Sequence, residues 1–491
     1  MHFCANSCAF AIGEDKVMGR TCRIILDGIE RFTHTGYYVF GVGAVALLFH
    51  FFAWDLAGLL LFAVATCFAL LFVKGYRGWV TLFANIIFVV STQNSPAYGD
   101  GAGNGGGANY YMRPDILYPL IVAVALVVVC MIYRTIRERK NLKNGKLYLP
   151  LGILSVALLL AGAGGKHYFE SVKATSLMVF CLLGLYVVFT ACIDDDGELF
   201  DYISVLFSEL AFLIAIEVAY VYFLNILHDG SFDSNWKNCI ITGWGVSNVS
   251  GELIACFLPF AFRQAERSKH VVFYELIALF AATMIVFTLS RTGILVGGVV
   301  AIVFVIKTII HRKKDKRALV LTFIGYMSFL LVAFIALIGF TDFNEIFDYF
   351  EKAFNGIGQG IDSGRFRIWK LRFEYFVKYP VFGAGYATEF CEKTVHGGLV
   401  YAGFAHNMII DAIGSNGVVG VLALGTFAYF AVKTFIKKSE ARFFAVAFGL
   451  AFAAVGMLDI TYCIPYCLWF FTLVLVVVEK VGAKKSESIA G

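Results

Sequence analysis

Three places in this sequence carry side chains suited to holding an anion or activating a hydroxyl group. Arg291 stands in Leu289-Ser290-Arg291-Thr292-Gly293, between two long apolar runs, with no other charge between Glu275 and Lys307. A guanidinium is always charged and presents a planar fork that matches phosphate oxygens. The plainer alternative is a turn residue that snorkels to lipid headgroups. The second place is Asp362-Ser363-Gly364-Arg365-Phe366-Arg367-Ile368-Trp369. Two arginines at spacing two do not share a helix face, so at most one faces a site unless the chain is extended. Generic surface charge is the alternative. The third place is His406-Asn407, which opens an apolar stretch after Pro380-Val-Phe-Gly383-Ala-Gly385. Imidazole suits general-base work near neutral pH. Asn407 can bond a sugar hydroxyl or hold the imidazole, although a lone His here could equally be an interfacial residue. The Gly-Ala-Gly piece is a turn signal. It lacks the strand–helix frame of a nucleotide loop.

Carboxylates inside apolar runs form a second group: Glu209, Glu217, Glu252 and Asp459. Each is costly in a membrane unless paired. Glu252 follows Trp244-Gly-Val-Ser-Asn248-Val-Ser-Gly251 at the outer start of an expected span, so it could line the same cavity as the arginines. Glu209 and Glu217 lie eight apart, a spacing that would also suit a proton path in a transporter.

These residues need a scaffold, and composition fixes its kind. Of 491 residues, 59% are hydrophobic and 15% charged, against roughly 25% charged in a soluble domain. Mean hydropathy is +0.77. The apolar residues fall in blocks of about 20, the length of a membrane-crossing helix. The chain is therefore expected to be an all-α polytopic membrane protein with about 12–14 spans. A soluble enzyme, a disordered chain, a nucleic-acid module and an outer-membrane barrel are excluded. Expected spans lie near 36–54, 56–74, 77–94, 115–133, 147–165, 171–193, 203–224, 244–263, 270–290, 292–310, 318–340, 404–434, 442–459 and 464–480. The stretch 404–434 is expected to be broken at Gly414-Ser415-Asn416-Gly417. The net charge of +5 (40 Lys and Arg less 35 Asp and Glu) needs no anionic partner, because basic residues gather on cytoplasmic loops. Clusters at 134–140, 263–269, 311–317, 437–438 and 484–485 are separated by even numbers of spans. All then face the cytoplasm, with residues 1–35 and 481–491 as cytoplasmic tails. Membrane bundles are expected over 36–340 and 404–480, joined by an external loop over 341–403. Loops 95–114 and 225–243 also fall outside. Within the large loop, Ile368, Leu371, Tyr375 and Val377 read as one side of an amphipathic helix, lying on the membrane or packed on the bundle. Cys239 and Cys391 fall outside and could pair. No cysteine spacing suggests a metal, and no metal or cofactor is expected.

Taken in order, four pieces resemble the O-antigen ligase and O-antigen polymerase superfamily. They are Ser290-Arg291-Thr292-Gly293; Ser363-Gly364-Arg365 leading to Trp369; Pro380-Val-Phe-Gly383-Ala-Gly385; and His406-Asn407 leading to Gly417-Val-Val-Gly420. Asn248 ahead of Pro259 fits the family's preceding span. The resemblance covers roughly 240–435. It implies a GT-C-like helical fold and metal-independent glycan transfer on the outer side of a bacterial cytoplasmic membrane. The implied donor is an oligosaccharide on undecaprenyl diphosphate, and the acceptor a glycan or lipid. By position, Arg291 and Arg365 would hold the diphosphate and His406 would deprotonate the acceptor. Arg367 is a second candidate for the loop arginine, and Asn407, Trp369, Glu252 and Asn248 would contact substrate. Membrane lipid and a chain-length regulator are the further partners implied, with no role for nucleic acid. A polysaccharide flippase or ion-coupled transporter is the competing class.

Overall fold

The computed structural model describes residues 20–52, 54–90, 114–229, 241–242, 245–312, 316–340, 365–386, 395–396, 399–400, 404–439 and 441–490. Cys239, Cys391, Asp362, Ser363 and Gly364 lie outside the described residues, as do most of the loops 95–114 and 225–243.

The chain is an α-helical, multi-pass membrane protein. Its only extended segments among the described residues are two tiny hairpins, Ile241–Thr242 with Gly245–Val246 and Val395–His396 with Leu399–Val400. Every expected span coincides with a helix or a broken helical unit. Among the described residues, length and apolarity together are met by six: Leu117–Arg137, Tyr168–Cys192, Leu199–Leu224, Arg291–His311, Met408–Phe435 and Pro465–Gly482. A seventh arises if Arg23–Thr33 and Gly36–Phe51, bent by 87°, count as one. Shorter apolar helices among the described residues include Leu56–Phe72, Tyr148–Leu159, Val271–Phe287 and Arg442–Leu458. Tyr148–Leu159 has 12 residues, about 18 Å at 1.5 Å per residue, well below the ~30 Å hydrocarbon core.

Ser247–Arg267 is the central helix. It packs on Leu199–Asp229, Val271–Phe287, Arg291–Arg312 and Arg442–Leu458. Nearly every side chain from Ser247 to Ala265 is buried, so it presents a mixed polar and apolar surface to protein, not to lipid. In contrast, Ile121, Val124, Leu126, Val129 and Ile132 of Pro114–Arg137 are all exposed, as a lipid-facing helix requires.

The stretch from 408 is broken as expected. Met408–Asp411 is α-helical, Ala412–Asn416 forms a π turn, and Gly417–Phe435 resumes as α-helix. Gly417 has φ +63°, a backbone state open to glycine at low cost. The Gly-Ala-Gly turn packs on this break. Ala384 N donates to Gly414 O (2.9 Å) and Gly385 N to Ser415 O (2.9 Å). A Cβ on Gly383, itself at φ +66°, would stand 2.3 Å from the Ser415 carbonyl carbon. The turn is thus a brace for a broken helix.

Arg365–Lys378 packs on the same break. Its buried residues are Leu371, Arg372 and Tyr375, while Val377 is 81% exposed. The expected apolar side is thereby corrected: Val377 leaves it and Arg372 joins it. The reason is a buried partner, Asp411, that an amphipathic pattern cannot register.

Candidate active site

The site gathers around a carboxylate at a helix end. Arg442–Leu458 ends at Asp459, which starts the connection to Pro465–Ala490. A carboxylate at a helix C-terminus opposes the helix dipole and needs cations or donors around it. They are present. His406 Nδ1 lies 2.6 Å from Asp459 Oδ1. Ile460 N donates to the same oxygen at 2.9 Å, and Asn248 Nδ2 donates to Oδ2 at 2.9 Å. Arg365 approaches Oδ2 at 3.9 Å and donates to the carbonyl of Leu458 at 2.8 Å. The Asn248 and Ile460 donors and the nearby Arg365 cation are the surroundings that suit an ionised carboxylate. An ionised Asp459 can only accept. The shared hydrogen therefore sits on His406 Nδ1, which leaves Nε2 as the ring's lone-pair nitrogen. His406 and Arg365 keep about a third of their side-chain surface exposed (32% each), whereas Asp459 keeps 2%.

Local structure explains the placement of His406. Asn407 caps the following helix, its Oδ1 accepting from Ile409 N and Ile410 N at 3.0 and 3.1 Å. Its Nδ2 donates to Met457 O at 3.0 Å. Asn407 thus ties the entrance of one helix to the exit of another. His406 itself has φ +52°, a left-handed state uncommon outside glycine and concentrated at functional sites. Trp369 Nε1 donates to Ala405 O at 2.7 Å, so the Trp369 indole positions the backbone beside His406.

A buried ion pair supports this loop from behind. Arg372 Nε lies 2.9 Å from Asp411 Oδ1, with side chains 1% and 0% exposed. Arg372 also donates to Ser415 Oγ at 3.1 Å. Asp411 Oδ2 accepts from Ala405 N at 2.9 Å and from the Tyr462 hydroxyl. Gly414 makes room for Arg372, since a Cβ there would stand 2.6 Å from Arg372 Cδ. Both strands of the site, 405–407 and 459–462, therefore hang on one carboxylate.

Asn248 and Glu252 lie one turn apart on Ser247–Arg267 and reach the same loop. Asn248 bonds Asp459, and Glu252 Oε2 accepts from Thr461 Oγ1 at 2.7 Å. Gly251, beside Glu252, receives the turn that carries Arg291: a Cβ on Gly293 would stand 3.1 Å from the Gly251 carbonyl carbon. Ser290 Oγ accepts from Gly293 N at 3.0 Å and so caps Arg291–Arg312. The preceding Leu289 is the other non-glycine residue at positive φ among the described residues, at +54°. Arg291 is exposed and makes no hydrogen bond or ion pair among the described residues. The turn that carries it packs against the helix of Glu252. Arg367 is also exposed, on a different side of its helix from Arg365.

Sequence reasoning gave Asp459 no place beside His406. It also passed over Arg372, Asp411 and Tyr462 altogether. Only Asp459 left a signal, as an acid where the helix dipole disfavours one. Glu209 and Glu217 lie elsewhere. Glu209 is buried against Gly43, and Glu217 sits 3.6 Å from His50 Nε2. Among the described residues, no three His, Cys, Asp or Glu side chains group as a metal-ligand set.

No curated protein matches the chain significantly. Residues 276–425 match the profile of the family described as O-antigen ligase. The matched stretch includes Arg291, Arg365, Trp369, His406 and Asn407, all of which lie within those bounds. Over residues 276–425, then, this chain is similar to the family described as O-antigen ligase.

Proposed function

We propose that this protein transfers a glycan from undecaprenyl diphosphate to an acceptor hydroxyl, with inversion at the anomeric carbon. His406 Nε2 takes the proton of the acceptor hydroxyl. The freed oxygen forms its bond to the anomeric carbon as the bond from that carbon to the diphosphate oxygen breaks. The diphosphate leaves with the electron pair. Arg365 and Arg291 supply fixed positive charge where the leaving group gains negative charge, in place of a metal ion. Asp459 orients the imidazole and stabilises its protonated form, as the carboxylate does in a Ser-His-Asp triad. Asn248, Glu252, Asn407 and Trp369 shape the surrounding wall, and Arg367 serves the rim.

The single observation that carries this reading is the 2.6 Å contact between His406 and Asp459, with Arg365 converging on the same carboxylate. It leaves a base poised beside a cation at the mouth of an apolar bundle. The positive-inside pattern of the sequence supports a position for this mouth on the outer side of a bacterial cytoplasmic membrane. A second polyprenyl-linked repeat as acceptor would make the protein a polymerase, with a chain-length regulator as partner. A lipid A–core, protein or cell-wall acceptor would make it a ligase.

His406→Ala and Arg291→Ala should each abolish glycan transfer by purified protein supplied with a polyprenyl diphosphate-linked oligosaccharide and a chelator, while both variants still reach the membrane. Unchanged turnover in both would refute the assignment.

A further inference from the structure

Two of the intramembrane carboxylates take no part in the site around Asp459. Glu217 faces His50 at 3.6 Å. Glu209 is fully buried, and among the described residues neither of its carboxyl oxygens has a hydrogen-bond partner. The Asn85 side chain of Arg77–Val90 stands against it. Asn85 Nδ2 donates to Thr81 O at 3.1 Å, while Asn85 Oδ1 is a third buried oxygen without a partner. Gly43 of Gly36–Phe51 gives the carboxyl its room, since a Cβ there would collide with Glu209 Oε1. Three acceptor oxygens thus gather between three packed helices. Charged groups on the helices packed around them face other partners: Arg77 meets Asp196 and Glu198, Arg263 meets Asp201, Glu252 meets Thr461, Glu275 meets Thr322, and Glu479 meets Tyr186.

A polar cavity of about 230 Å³ leads toward these oxygens. Val39 and Val205 on its wall each lie four residues, about one turn or ~6 Å, before Gly43 and Glu209. Tyr202, also on the wall, shares a hydrogen bond of 2.8 Å with Thr81 Oγ1, one turn before Asn85. On all three helices the cavity therefore stops about one turn short of the oxygens. Its opening is at the end of the bundle away from His406: Gln264 on the wall is 12 residues, about 18 Å, along Ser247–Arg267 from Glu252.

Acceptors without a donor call for positive charge, and a carboxylate at this depth is tolerated only when paired. One carboxylate balances one unit of charge. Carboxylate and amide oxygens are hard ligands, which disfavours soft metals. We infer that Glu209 and Asn85, in the space left by Gly43, bind one monovalent cation, a proton or a sodium ion, taken up through the polar cavity. The site is separate from the glycan-transfer residues and does not rest on their assignment.

The full chain in lipid nanodiscs is perfused alternately with choline and sodium chloride, and separately across pH, while difference infrared spectra record the carboxyl stretches. For a sodium site, added sodium should convert a protonated carboxyl to carboxylate. For a proton site, only rising pH should do so. Glu209→Gln and Gly43→Ala should abolish the response, and Glu217→Gln should leave it in place. Asn85→Ala should shift half-saturation about tenfold, a loss of roughly 1.4 kcal/mol. Dicyclohexylcarbodiimide attacks protonated carboxyls in apolar surroundings and maps the residue in wild type without any variant. Modification at Glu209, slowed by sodium or by high pH, is expected. A spectrum that neither ion moves, as a buried water alone would give, overturns the inference. So does a response that Glu209→Gln keeps and carbodiimide assigns to another carboxyl.

Discussion

Asp459→Asn tests the chemistry most sharply, because it preserves shape and removes only charge. Asp459 now accepts from His406, Asn248 and the Ile460 amide. An amide in its place can donate to Nδ1 through its nitrogen, which would move the imidazole hydrogen to Nε2 and spoil the base. Losing a charged hydrogen bond alone costs about 1.5–3 kcal/mol, or roughly 10- to 150-fold in rate. A forced change of tautomer costs about 10⁴-fold in the Ser-His-Asp triad. Turnover should therefore fall by between about 10- and 10⁴-fold. The assay is steady-state transfer on membrane-embedded protein, with abundance checked by quantitative blotting. A rate within threefold of wild type would refute the orienting role.

Two further predictions follow from the same geometry. Arg365→Ala should reduce transfer by roughly 10- to 100-fold through loss of a charged contact, whereas Arg367→Ala, at an exposed position, should stay within about twofold; equal losses in a side-by-side kinetic comparison would contradict the distinction between them. Arg372→Met strands the buried Asp411 carboxylate and should cost about 3–5 kcal/mol, read as lowered thermal stability of the solubilised protein. The double change Arg372→Met with Asp411→Leu should recover much of it, and a double variant no more stable than the single one would show that the pair has no such structural role.

Much of this protein was legible in its sequence because the bilayer is a severe solvent. Lipid leaves no alternative to helices whose backbone bonds are satisfied internally, so blocks of apolar residues locate helices directly. The break in 408–435 was legible for a similar reason: Gly414, Ser415, Asn416 and Gly417 interrupt an otherwise apolar run. Local motif order also singled out Arg291, Arg365 and His406 as candidates. What composition and hydropathy could not reach was pairing. Asp459 stands 53 residues after His406 and 211 after Asn248, and an intramembrane carboxylate looks like a cost until its partners are known. Arg372 is a comparable case: in the sequence it is one more cation on a basic amphipathic helix, and in the fold it is fully buried against Asp411. Sequence determined the class of the molecule, its helices and the types of group available to a site. Tertiary structure decided which groups meet, because long-range charge pairing depends on helix packing and leaves no period or spacing in the chain.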